Sequence, residues 1–87
     1  MFEKEIIIES DTGVHARPAM MLVREAMKFK SQVTLIKDNL EADGKSIMSV
    51  LGLAITGGSK LILRAEGPDQ EKVVNSLLAI IENGFKE

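Results

Sequence analysis

The sequence contains no cysteine, no tryptophan and no tyrosine, and a single histidine among 87 residues. Without cysteine there is no disulfide framework, no thiol nucleophile and no thiolate zinc site. One histidine cannot build a histidine-cluster metal site either. The aromatic residues amount to three phenylalanines, so the stacking platforms of single-strand nucleic-acid binders are missing and the core must be aliphatic. Positive charge is not in excess: the net charge is −2, the wrong sign for a nucleic-acid partner. No apolar run approaches the roughly 20 residues that span a bilayer. The start, Met1-Phe2-Glu3-Lys4-Glu5, lacks the basic-then-apolar pattern of a signal peptide. These absences lead us to expect one small cytoplasmic domain over residues 1–87, with no metal, no cofactor and no membrane insertion.

What the chain does contain is apolar periodicity, with 45% hydrophobic residues. Phe2 to Glu9 reads as a strand, with Phe2, Ile6 and Ile8 sharing a face with Lys4. Ser10 to Gly13 reads as a loop. Ala16 to Phe29 reads as a helix whose inward arc is Ala19, Leu22, Val23 and Ala26. Met20 and Met27 fall on its flank beside Arg17 and Arg24, as peripheral core or as a docking shoulder, a use that suits methionine. Gln32 to Lys37 and Leu40 to Asp43 read as strands about an Asp38-Asn39 turn. Ser46 precedes an apolar helical run, Ile47 to Ala54, as its N-cap. That run is apolar nearly all round, so some of Ile47, Met48 and Leu51 must stay exposed. Lys60 to Glu66 is a strand with Leu61, Leu63 and Ala65 on one face and Ile62 and Arg64 on the other. Gln70 to Asn83 is a last helix capped by Asp69 or a neighbour, buried through Val73, Val74, Leu77, Leu78 and Ile81 and stopped by Gly84. The order β-α-β-β-α-β-α implies an α+β domain: an open antiparallel sheet covered on one face by three helices.

The candidate chemistry lies in Thr12-Gly13-Val14-His15-Ala16-Arg17-Pro18-Ala19. Pro18 suits a first helical turn, whose N–H groups have no intrahelical acceptor to lose. His15 thus falls at a helix N-terminus with Arg17 one step inside. Free N–H groups and the positive end of the dipole favour an anion there, and the guanidinium fork of Arg17 suits phosphate. A lone histidine is more often an ordinary surface or capping residue. Yet the chain offers no other nucleophile–base set, and a neutral imidazole near pH 7 has a ring nitrogen free to attack.

The segment Gly13-Val14-His15-Ala16-Arg17-Pro18-Ala19 resembles the active-site motif of HPr, the histidine-containing phosphocarrier family of the bacterial phosphoenolpyruvate-dependent sugar phosphotransferase system. Phe29 with Ser31, Lys45-Ser46-Ile47-Met48 and Ala65-Glu66-Gly67 resemble HPr segments as well. The resemblance implies an open-faced β-sandwich with strand order 1-4-2-3. It implies that His15 accepts a phosphoryl group on Nδ1 from phosphorylated Enzyme I and passes it to IIA components of sugar permeases, with Arg17 stabilising the phosphoryl charge. Lys45-Ser46-Ile47-Met48 resembles the regulatory serine region of low-GC Gram-positive forms, implying an HPr kinase/phosphorylase as a partner of Ser46 and a catabolite-control transcription factor as reader of the phosphoserine. Met20, Arg24, Met27, Ile47, Met48 and Leu51 are the expected docking residues. Ser49, Leu51 and Met20 depart from the family's usual residues, and all three touch docking surfaces. The alternative is a mainly regulatory interaction module acting through phospho-Ser46. Purely regulatory paralogues often lack the histidine, so His15 favours a working carrier.

Overall fold

Alternating strands with one apolar face settle their pairing by hiding that face, and the computed structural model, which describes residues 1–9 and 15–86, shows this arrangement. The elements are β1 (Phe2–Ile7), α1 (Ala16–Ala26), β2 (Gln32–Lys37), β3 (Leu40–Asp43), α2 (Ile47–Gly52), β4 (Lys60–Glu66) and α3 (Gln70–Glu82). The expected loop at Ser10 to Gly13 lies outside the described residues. The strands form one antiparallel sheet in the order β1-β4-β2-β3. In its register Ala65 stands between Phe2 and Val33, and Leu63 between Lys4 and Leu35. This places Val33, Leu35, Leu61, Leu63 and Ala65 in one buried row. Ala19, Leu22, Val23 and Ala26 of α1, Val50 of α2, and Val73, Val74, Leu77 and Ile81 of α3 complete a single core with them. The three helices thus cover the same sheet face, as the periodicity implied. Among the described residues no helix is long and apolar enough to cross a membrane.

The hairpin between β2 and β3 turns on Asp38 and Asn39, both at positive φ (51° and 67°). That geometry matches the right-handed twist of paired strands, and these two residue types tolerate it best after glycine. At the other end of the hairpin Gly44 is buried, and a Cβ there would lie 2.5 Å from Val33 Cγ1.

The structure corrects several boundaries. β1 ends at Ile7 rather than Glu9. Ile8 leaves the ladder but still donates to Ser59 O (2.9 Å) and accepts from Gly58 N (2.7 Å), because the chain entering β4 folds back over it. α1 ends at Ala26, three residues short of Phe29, with Lys28 N bonded to Glu25 O and Phe29 N to Ala26 O. Such i→i−3 bonds tighten and close a helix. α2 ends at Gly52 rather than Ala54, since Ala54 turns left-handed (φ 50°). Ile36, next to the inward-facing Leu35, is only 8% exposed, being central in the sheet between Ile62 and Glu41. Leu78 is half-buried rather than part of the sealed stripe.

Asp69 occupies the N-cap position of α3 but does not cap it with its side chain. Its carboxylate accepts instead from Lys30 N (2.9 Å), Ser31 N (2.9 Å) and Ser31 Oγ, while Ser31 Oγ accepts from Asp69 N (3.1 Å). Ser31 is the one buried polar side chain among the described residues. The expected N-cap residue is thus in place, but its side chain is held by long-range donors rather than by the local N–H groups.

Candidate functional site

His15 is the N-cap of α1, in extended conformation (φ −84°, ψ −167°). Its carbonyl accepts the first helical bond, from Ala19 N at 2.9 Å. Its imidazole makes no capping hydrogen bond and the residue is exposed. The ring is therefore not spent on closing the helix. The N–H groups of Ala16 and Arg17 have no acceptor within the helix, and Pro18 contributes none. No acidic side chain stands in the first turn to neutralise the positive helix end. Arg17 is the second helical residue and is exposed. An anion carried by the ring would meet the positive end of the helix dipole.

The second expected site is Ser46, the N-cap of α2, whose hydroxyl accepts from Ser49 N at 3.3 Å. The loop before it is pinned. Asp43 Oδ1 accepts from Lys45 N (2.9 Å), Asp43 O accepts from Ser46 N (3.0 Å), and Val33 O accepts from Gly44 N (2.8 Å). The ammonium of Lys45 donates to Phe29 O at 2.8 Å. This last bond ties the start of α2 to the chain just beyond the end of α1. His15 and Ser46 therefore flank opposite ends of α1, an eleven-residue helix that is about 16 Å long at 1.5 Å per residue.

The expected docking residues lie on α1 and its C-cap (Met20, Arg24, Met27) and on α2 (Ile47, Met48, Leu51). Met20 (48% exposed), Met27 (65%) and Met48 (74%) are among the most exposed large apolar side chains. The alternative of peripheral core for Met20 and Met27 is thereby set aside. Arg24 is exposed beside them, in the last turn of α1. Ile47 and Leu51 are half-buried and pack against the core, so Met48 carries most of the exposed apolar surface of α2. The two helices are in contact, with Met20 in α1, Met27 at its C-cap and Met48 in α2.

Two lysines have roles that their local sequence does not announce: Lys45 reads only as a neighbour of Ser46, and Lys37 only as the end of a strand. Lys37 donates to Leu53 O (3.3 Å) and Ala54 O (3.0 Å) at the end of α2. The readable signal was a deficit: α2 has no basic residue in its last turn.

An α+β open-faced sandwich with a lone exposed histidine at a helix mouth is the architecture of a surface carrier rather than of an enclosed pocket. A family model described as "PTS HPr component phosphorylation site" matches residues 2–83. The HPr-like protein Crh of Halalkalibacterium halodurans is 40% identical over 82 residues, covering 94% of this chain and 98% of that protein. The phosphocarrier protein HPr of Treponema pallidum is 37% identical over 87 residues, covering 100% and 99%. A crystal structure of HPr from Thermoanaerobacter tengcongensis superposes with a TM-score of 0.94 at 42% identity, over 100% of this chain and 98% of that one. The chain belongs to the HPr family of phosphotransferase-system phosphocarrier proteins.

Proposed function

We propose that this protein carries a phosphoryl group on His15 between phosphorylated Enzyme I and the IIA components of sugar permeases. The observation that carries the reading is the exposed, uncommitted imidazole of His15 at the N-terminus of α1. In the receiving step the Nδ1 lone pair attacks phosphorus, a new P–N bond forms as the donor's bond to phosphorus breaks, and the donor keeps that electron pair. Arg17 and the first-turn N–H groups stabilise the equatorial oxygens in both directions of transfer. Exposure keeps the product transferable: dipole and N–H contributions at such sites are about 0.3–1 kcal/mol, enough to orient a phosphoryl group without trapping it. Partners dock on Met20, Arg24, Met27, Met48 and the exposed part of Leu51 and Ile47, in a cytoplasmic setting. Incubation with phosphoenolpyruvate and Enzyme I yields acid-labile, alkali-stable phosphate in the parent and none in His15→Ala; a parent that stays unlabelled sinks the reading.

The relation to Crh and the N-cap position of Ser46 favour a regulatory use of the same molecule. Phosphorylation of Ser46 by an HPr kinase/phosphorylase adds roughly −1.5 to −2 charge at the Met27–Met48 end of the shoulder. The phosphoserine slows transfer from Enzyme I by repulsion and presents a new surface to a catabolite-control transcription factor. Ser46→Asp is expected to accept phosphate from Enzyme I more slowly than the parent, and equal rates overturn the repulsion account.

A further inference from the structure

α2 ends without either of the usual terminators. No basic side chain stands in its last turn. Gly52 lies within the helix, and the left-handed position beyond it falls to Ala54, where a Cβ is disfavoured and glycine is the ordinary choice. A six-residue helix is also too short to hold itself by its own hydrogen bonds. What α2 lacks arrives from the sheet. The Lys37 ammonium, at the end of β2, donates to the carbonyls of Leu53 and Ala54 at 3.3 and 3.0 Å. Its side chain is only 19% exposed, and the nearest carboxylate, Asp38 Oδ2, is 3.9 Å away. The two carbonyls are thus its close partners, and a cation there offsets the negative end of the helix. Beyond Ala54 the chain reaches Gly58 and Ser59, which bond Ile8 at the exit of β1 on the path to His15.

We propose that Lys37 is a positioning residue for partner docking: as the tertiary C-cap of α2 it holds Met48 and Leu51 in place beside α1. It touches neither His15 nor the phosphoryl group. The inference rests on the carrier reading for its partner, and on geometry alone for the capping.

Lys37→Met keeps most of the side-chain length and removes the charge; Lys37→Arg keeps the charge. Amide hydrogen exchange over Val50 to Ala54 is expected to run roughly two- to tenfold faster in Lys37→Met, with β1 and β4 unchanged, and to return toward the parent in Lys37→Arg. In transfer from phosphorylated Enzyme I, KM for Lys37→Met rises by a similar factor while kcat holds. Placing Ala54→Gly beneath both variants gives the helix its own terminator, so the effect of losing Lys37 shrinks. Unchanged exchange in α2, uniformly faster exchange across the sheet, a loss of kcat at constant KM, or an undiminished effect in the Ala54→Gly background each overturn the proposal. If the parent itself takes no phosphate, the carrier reading falls, and the exchange data still decide the cap.

Discussion

At the scale of single residues, the chemistry rests on what each side chain is left free to do. His15 caps a helix by position only, and its ring stays available. Asp69 also stands at an N-cap position, but its carboxylate is committed to Ser31 and the backbone of Lys30. The hydrogen bond from Ser31, then that from Lys30 N–H, hold the Asp69 carboxyl at about 2, below the ordinary 3.8. The folded form therefore binds that proton less readily than the unfolded one, so stability from this group is full above pH 3.8 and is lost as pH falls towards about 2. Urea denaturation between neutral and strongly acid pH is expected to show this loss in the parent and a flatter acid limb, with lower stability at neutral pH, in Asp69→Asn. On the proposed carrier role, Arg17→Ala would leave the His15 ring in place and remove a charged donor to the phosphoryl oxygens. Its transfer from Enzyme I is expected to slow by roughly 10- to 1000-fold with His15 still labelled at long times, as rapid-quench measurements would show.

At the scale of elements, close approach decides more than propensity. Gly67 leaves β4 at φ 150° with the Cα of Ser31 only 2.7 Å from where its Cβ would be. Gly67→Ala must therefore displace the α1–β2 junction and the Ser31–Asp69 bonds together, and is expected to cost about 1–3 kcal/mol, read from the midpoint of urea unfolding. The chain beyond α1 and the end of α2 are likewise held from elsewhere, through Lys45 on Phe29 O and Lys37 on Leu53 O and Ala54 O. α1 is also tied to α3, since Glu25 accepts from Ser76 Oγ at 2.8 Å; the same carboxylate accepts from Lys28 Nζ, just beyond α1, at 2.9 Å. These two donors, Lys28 foremost, hold the Glu25 carboxyl below the ordinary carboxylate value.

At the scale of the whole molecule, one core joins all three helices to one face of the sheet. Val50 is fully buried within it and is the only buried residue of α2. Val50→Ala is expected to destabilise the fold by about 1–3 kcal/mol and to loosen α2 first, so that docking is lost under conditions where His15 can still be phosphorylated slowly; thermal unfolding alongside transfer kinetics separates the two effects. The opposite face of the sheet carries Arg64, ion-paired to Glu3 across the β1–β4 register and 3.7 Å from Glu41. Half-exposed pairs of this kind contribute little to stability.

Much of this was legible in the residues themselves. Period-two strands and the arc Ala19, Leu22, Val23, Ala26 specify an inward face by local geometry, and the packed core uses those same residues. The place of His15 at a helix mouth was also local, because Pro18 and the apolar run after it fix where α1 begins. What the sequence alone did not determine are the contacts made across long stretches of chain: Asp69 with Ser31, Lys45 with Phe29 and Lys37 with the end of α2. A carboxylate or an ammonium reads the same whether it faces water or a distant carbonyl, and only packing brings the partner within reach. For the same reason the separation of His15 and Ser46 at opposite ends of α1 was a decision of tertiary structure: each residue announces its own helix end, but the relative placement of two helices is set by the sheet they share.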